Sequence, residues 1–292
     1  MNKTIRKKAY AKLNLGLKTL YKRNDGYHEL KMLMINIDLY DELIFKQNNE
    51  VYVKCNKNIC KMEENIVFKA ALLMKEKYNV KDGVLIKIKK NIPDGAGLGG
   101  GSSDAACTIL ALNKFWDLNL TKCELLNIAS EIGSDVPFFL YSKIAIVKGR
   151  GEKIETIDAD INEDIILVIP DLKCSTKRVY ECHKIKESDN SIDNIVSNLN
   201  SNFEDYLFND LEESAKSAYP IYELDAIKKD IEKLGYKKAL MSGSGSAIFG
   251  IKIDKNIKKQ KCVYKALKKK YKSFKILNCK TLSYCKEGIG SV

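Results

Sequence analysis

Twelve residues starting at Pro93 read Pro-Asp-Gly-Ala-Gly-Leu-Gly-Gly-Gly-Ser-Ser-Asp, with five glycines among the seven positions 95–101 and a serine pair directly after them. Glycine lets backbone amides approach a bound group closely, because no side chain stands in the way. The stretch lies between residues 84–89, a strand-like run, and residues 103–116, rich in alanine and leucine and read as a helix. Unpaired amides at a helix start, together with the helix dipole, favour an anion such as phosphate. Ser102 and Ser103 add hydroxyl donors or a metal ligand. A flexible turn is the blander alternative, and this density of glycine beside two serines argues against it.

Other phosphate loops fit less well. Gly95, Gly97 and Gly100 satisfy G-x-G-x-x-G, which is weak evidence alone. A dinucleotide site needs an early βαβ unit and an acidic residue about 20 positions on, at the end of the second strand, whereas Asp117 follows a helix. A Walker A loop needs a lysine after its last glycine, where this chain has Ser102. The HRD and DFG signatures of protein kinases are absent.

The elements around the loop read as mixed strands and helices. Over residues 7–17, Ala9, Ala11, Leu13, Leu15 and Leu17 alternate with Tyr10, Lys12, Asn14 and Gly16, the pattern of a half-buried strand with Lys12 and Asn14 on one face. Strands are expected at 32–38, 42–46, 51–55, 84–89, 144–147 and 165–170, and helices at 65–78 and 103–116. A further helix runs from Thr121, which has capping-box spacing with Glu124, to Gly133. Residues 187–202 read as an exposed loop or poorly packed helix, and 255–272 as an amphipathic helix using Val263, Leu267 and Tyr271. An acidic, polar connection near residues 158–163 sets the expected division into domains 1–158 and 159–292.

The net charge of +12 comes almost wholly from scattered lysines, and only four arginines offer a guanidinium fork. Nucleic acid is therefore not an expected partner; the basic surface suits steering of small polyanions. No apolar run approaches the roughly 18 residues that span a bilayer, so no membrane partner is expected and the expected location is the cytoplasm. Nine cysteines without a C-x-x-C pair, and only two histidines, read as reduced structural thiols rather than a zinc site.

The segment 93–106 resembles the central motif of the GHMP kinases, the superfamily of galactokinase, homoserine kinase and mevalonate kinase. Ala11-Lys12-Leu13-Asn14-Leu15 resembles that family's N-terminal strand motif, and Leu240-Met241-Ser242-Gly243-Ser244-Gly245-Ser246-Ala247 its C-terminal glycine motif. Four further stretches resemble the branch that phosphorylates 4-diphosphocytidyl-2-C-methyl-D-erythritol in the non-mevalonate isoprenoid route. They are Arg23-Asn24-Asp25-Gly26-Tyr27-His28-Glu29-Leu30, Ile132-Gly133-Ser134-Asp135-Val136-Pro137-Phe138-Phe139, Gly149-Arg150-Gly151-Glu152 and Asn209-Asp210-Leu211-Glu212. The chain departs from the branch at Tyr141-Ser142-Lys143-Ile144, where a glycine pair and a threonine are common, and at Ala247.

The resemblance implies an α+β, two-domain GHMP kinase fold with the active site in the inter-domain cleft. It also implies ATP as phosphate donor, with Mg2+ accompanying it, and a small-molecule alcohol as acceptor. The catalytic pair would be Lys12 and Asp135, the carboxylate accepting the hydroxyl proton and the ammonium keeping it ionised. A turn aspartate and an exposed strand lysine are their plain alternatives. ATP would be held by Asn65, Pro93, Asp94, Gly95, Ala96, Gly97, Leu98, Gly99, Gly100, Gly101, Ser102 and Ser103, although Asn65 also reads simply as a helix N-cap. The acceptor would meet Asn14, Tyr27, His28, Thr176, Tyr180, Gly243, Ser244 and Gly245. Tyr27 would stack on cytosine, His28 would bond its polar edge, and Tyr180 would form the opposite wall. Core packing of one ring, and a plain strand-to-strand turn at 243–245, are the alternatives. Homoserine or mevalonate as acceptor, and a non-catalytic nucleotide or RNA module, complete the alternative functions.

Overall fold

A computed structural model describes residues 3–57, 60–141, 143–185, 188–253, 257–284 and 288. Three strands open the chain: β1 (Thr4–Lys22), β2 (His28–Asn48) and β3 (Val51–Cys55). Next come α1 (Ile66–Lys77), β4 (Gly83–Lys89), α2 (Gly100–Phe115), α3 (Lys122–Ile132) and α4 (Val136–Tyr141). The strands β5 (Ala145–Gly149), β6 (Lys153–Thr156) and β7 (Asp164–Ile169) precede α5 (Thr176–Glu181), α6 (Ile192–Ser197) and β8 (Phe208–Asn209). The last elements are α7 (Glu212–Ala218), α8 (Leu224–Lys233), β9 (Tyr236–Met241), β10 (Ile248–Ile253), α9 (Ile257–Lys270) and β11 (Lys275–Leu282).

β2 is the spine. Apolar and β-branched residues fill it from Leu30 to Phe45, and it pairs antiparallel with β1, β4, β5 and β11. The main path through the sheet is β3-β4-β2-β11-β7-β10-β9, so β11 joins the β3-β4-β2 part of the sheet to the β7-β10-β9 part. Strands at 32–38 and 42–46, expected separately, are one strand, because no turn residue interrupts the pairing between them. α1, α2 and α3 bury Ala70, Ala106, Ile109 and Ile128 in one core, while Leu13, Leu33, Leu167 and Phe249 anchor a second. Burying a side chain such as Phe249 contributes about 1.5–3 kcal/mol relative to exposure.

Three further expectations need correction. β1 is not half-buried: from Ala11 to Leu17 both faces are covered, and Lys12 and Asn14 are 4% and 1% exposed. The segment expected to be loose contains α6, whose Ile192 and Ile195 are fully packed and would touch any side chain placed at Gly16. α2 begins at Gly100 rather than Ser103, since glycine at its start is needed by the loop and tolerated in the first turn. By contrast, Thr121 and Glu124 form the expected capping box, and Val263, Leu267 and Tyr271 are buried beneath α9. Ser142, residue 187 and residues 255–256 lie outside the described residues.

Candidate active site

Gly95, Gly97 and Gly99 all adopt positive φ, and this left-handed path carries the chain from β4 round to α2. The first intrahelical bond runs from Ser103 N–H to Gly99 O at 2.9 Å, so the amides of Gly100, Gly101 and Ser102 precede the ladder. The loop is fastened on two sides. Lys12 N–H donates to Leu98 O at 3.0 Å, and from the C-terminal strands Ala247 N–H donates to Ala96 O at 3.1 Å and Ser242 Oγ to Gly97 O at 3.0 Å. The approach at Gly97 is close enough that a Cβ there would lie 2.1 Å from Ser242 O.

Beneath the loop, buried Lys90 donates to Asp41 and, at 2.7 Å, to Asp104 on α2. Burial pushes the Asp104 carboxyl up to about 8, against the pull of Lys90. One ammonium thus serves two carboxylates, and burial of the second favours its neutral form.

The reacting groups come from β1 and from the turn before α4. Lys12 donates to Asn14 Oδ1 on the same strand face, and Asn14 Nδ2 reaches Met32 Sδ at 3.4 Å. Burial lowers the Lys12 pKa, and the nearby Asp135 carboxylate opposes that shift. Gly151 leaves the room that the Ser134-Asp135 turn occupies: a Cβ there would sit 2.6 Å from Ser134 O and 3.4 Å from Asp135 Oδ1. Gly243 closes the group, its Cβ position being 3.3 Å from Lys12 Nζ and 3.4 Å from Asn14 Oδ1. An ammonium, an amide and a carboxylate therefore face the space at the start of α2, an arrangement that can orient a hydroxyl and take its proton.

At the other end, the Asp25-Gly26 turn is closed by Tyr27 N–H donating to Asp25 Oδ1 at 3.1 Å, with Arg23 paired to Glu29. Tyr27 is 55% exposed, with the Arg150 guanidinium 5.1 Å from its ring centre. The His28 and Tyr180 rings lie 5.1 Å apart at 30°. Burial, then the charge of Lys22, lowers the His28 pKa; burial, then Asp135, raises that of Tyr180. Thr176 and Ser244 hydroxyls meet at 2.9 Å, and Asn209 Nδ2 donates to Met241 O and Gly243 O, both at 2.8 Å, holding the glycine turn.

One cavity of about 880 Å³ is lined by Lys12, Asn14, Tyr27, His28, the loop from Pro93 to Ser102, Asp135, Thr176, Tyr180, Gly243 and Ser244. Three expected residues do not line it. Asn65 uses its side chain to cap α1, accepting from Val67 N–H at 2.9 Å, while its neighbour Ile66 reaches the cavity. Ser103 is buried in the first turn of α2, and Gly245 faces Met241 and Cys174. The cavity also contains Lys22, Lys90, Arg150 and Lys177, which sequence reasoning did not assign. Arg150 stands inside a stretch singled out as distinctive, but nothing in spacing alone told it from a solvated turn residue.

The family model of the GHMP kinase N-terminal domain matches residues 65–143, and that of the GHMP kinase C-terminal domain matches residues 187–273. A 4-diphosphocytidyl-2-C-methyl-D-erythritol kinase from Thermodesulfovibrio yellowstonii is 42% identical over 84% of this chain and 88% of its own length. The chain is a GHMP kinase. A protein of the same name from Clostridium botulinum is 39% identical over 90% of this chain and 96% of its own length. Among solved structures, a 4-(cytidine 5'-diphospho)-2C-methyl-D-erythritol kinase aligns with a TM-score of 0.81 at 32% identity, covering 95% of this chain and 99% of that one. A homoserine kinase from Cytophaga hutchinsonii, at 18% identity and a TM-score of 0.66 over 96% and 95% of the two chains, shares the fold. As a GHMP kinase the chain is a small-molecule kinase. Among the described residues no helix is long and apolar enough to cross a membrane.

Proposed function

We propose that this GHMP kinase phosphorylates a hydroxyl of 4-diphosphocytidyl-2-C-methyl-D-erythritol, using ATP, in isoprenoid precursor synthesis in the cytoplasm. The observation that carries this reading is the shared cavity: one end is a phosphate loop with Lys12 and Asp135, the other an aromatic and imidazole surface at Tyr27, His28 and Tyr180. Homoserine and mevalonate have no ring to engage that second end, whereas a nucleoside-linked alcohol does. The sequence similarity to relatives bearing this enzyme's name supports the same choice.

In this reading the triphosphate lies on the amides of Gly100, Gly101 and Ser102, where the helix start favours negative charge. Lys12 and Asn14 hold the acceptor hydroxyl in line with the γ-phosphorus. The hydroxyl oxygen forms the new P–O bond, its proton passes to Asp135, and the bond to the bridging oxygen breaks to release ADP. Lys12 balances charge on the moving phosphoryl group. Magnesium commonly takes one or two protein oxygens, with phosphates and waters completing its shell. Among the described residues no group of three carboxylates, imidazoles or thiols forms a ready metal site, which suits that mode. Ser102 and Asp135 are the residues that would hold it beside ATP. Asn65, Ser103 and Gly245 act in this scheme by shaping α1, α2 and the glycine turn. The two functional halves are taken as 1–158, carrying the phosphate loop, and 159–292, carrying the glycine turn.

A coupled ADP-release assay tests the assignment with the cytidine substrate, its uridine analogue, homoserine and mevalonate. Turnover is expected with the cytidine substrate in strong preference to the rest. Preferred turnover of homoserine or mevalonate would overturn it.

A further inference from the structure

The chain contains only two histidines, and they meet. His183, just after α5, lies edge-on to both rings of the base-facing pair: 5.6 Å and 73° from His28, and 6.3 Å and 77° from Tyr180. It does not line the cavity; it stands behind the rings that do. Both of its nitrogens are held by hydroxyls, Nε2 at 2.7 Å from Thr19 Oγ1 and Nδ1 at 2.8 Å from Ser214 Oγ. Thr19 and Ser214 are 1% and 4% exposed, so neither bond is a surface contact.

The chain of bonds continues to a carboxylate. Thr19 sends its N–H and its hydroxyl to the same Asp210 oxygen, at 3.0 and 3.3 Å. An ionised carboxylate only accepts, so the single Thr19 hydroxyl proton points to Asp210, and the Thr19 oxygen accepts from His183 Nε2–H. In a neutral ring Nδ1 is then the acceptor for the Ser214 hydroxyl. Asp210 follows Asn209, the residue that grips the glycine turn, and its own N–H donates to Leu17 O at 3.0 Å. His183 thus fastens α5 to β1 and to α7 at one point behind the ring pair, and an imidazole bound at both nitrogens does not swivel.

We propose that His183 is a positioning residue for the acceptor's base: held as the Nε2–H tautomer between Thr19 and Ser214, it sets the angle of the His28–Tyr180 pair that receives the cytosine. This rests on the cytidine substrate assigned above.

His183→Phe keeps a ring and removes both hydrogen bonds. The expected result is an acceptor KM raised about tenfold, with kcat and the KM for ATP changed by less than about threefold. Thr19→Val should move the acceptor KM in the same direction, and the double variant should fall short of the product of the two effects. A folded His183→Phe enzyme with an unchanged acceptor KM would overturn the inference, whatever its Tm. If that variant does not fold, Thr19→Val and Ser214→Ala make the same comparison. Nitrogen NMR of the imidazoles reads the wild-type enzyme without any turnover; with two histidines, His28→Gln identifies the His183 signals. Nε2–H is expected, and an Nδ1–H tautomer would refute the bond chain. Failure of the wild-type enzyme to use the cytidine acceptor at all would overturn the substrate assignment and this inference together, whereas an unchanged KM in the variants overturns this one alone.

Discussion

Gly97→Ala places one methyl group at the closest contact between the phosphate loop and the C-terminal glycine turn. At φ +74° the added Cβ would lie 2.1 Å from Ser242 O and 3.1 Å from Gly245 O, both backbone atoms that cannot rotate away. Carbon and carbonyl oxygen settle at about 3.3 Å or more, so the two segments must part by about 1 Å. Left-handed backbone costs alanine about 1 kcal/mol. Straining the bonds from Ser242 Oγ to Gly97 O and from Ala247 N–H to Ala96 O adds about 1 kcal/mol each. A total of about 3 kcal/mol corresponds to a Tm lower by roughly 5–10 °C in a protein of this size. Misplacing the loop by about 1 Å is expected to reduce kcat/KM about 100-fold. Calorimetric titration with ADP, thermal unfolding and the coupled turnover assay read the three effects separately. Gly101→Ala is the matched control. It is helical and its Cβ would find only Ile66 Cγ2 at 3.6 Å, so Tm should hold or rise with a gain of about 0.5–1 kcal/mol. A Gly97→Ala enzyme with wild-type Tm and wild-type ADP affinity would refute the claim that this contact positions the loop.

Asp135→Asn should keep the fold and ADP binding while turnover falls about 10²–10⁴-fold, and a variant retaining more than about a tenth of wild-type turnover would rule out proton acceptance there. Burial lowers the Lys12 pKa from its ordinary 10.5, so rising pH removes the ammonium below that value. The alkaline limb of kcat/KM should therefore fall below pH 10.5 and move upward in Lys12→Arg, and identical limbs in the two enzymes would exclude Lys12 as its source. Tyr27→Ala should raise the acceptor KM about tenfold through loss of stacking, while equal kcat/KM for cytidine and uridine acceptors in the wild-type enzyme would argue against base recognition at His28.

The phosphate loop was legible in the sequence because its demands are local: each left-handed turn needs glycine, and Gly95, Gly97 and Gly99 all have positive φ. The capping box at Thr121 is local in the same way. Lys12 was readable as a strand residue but not as a buried one, since its second covering surface comes from distant segments such as Gly99 and Gly243. Lys90 and Asp41 are 49 residues apart, and nothing in either neighbourhood announces a pair. α6 was read as loose because its two isoleucines stand among polar residues; only the bare Gly16 on β1 makes room for them. His183 gave no signal either, as its partners come from residues 19 and 214.

The place of β11 in the sheet bears on how the chain is made. It is the last strand among the described residues, yet it pairs with β2 on one side, through Thr281 opposite Ile37 and Leu282 opposite Asn36, and with all six residues of β7 on the other. During synthesis the first half of the sheet and the β7-β10-β9 layer emerge before the strand that joins them, and each meanwhile presents an open apolar edge of the kind that attracts wrong partners. At about 5–20 residues per second, α8 to β10 precede residue 282 by a few seconds on the ribosome. A ribosome-bound chain stalled with residue 274 at the tunnel exit should remain protease-sensitive in both halves, and release of the next eight residues should close them together.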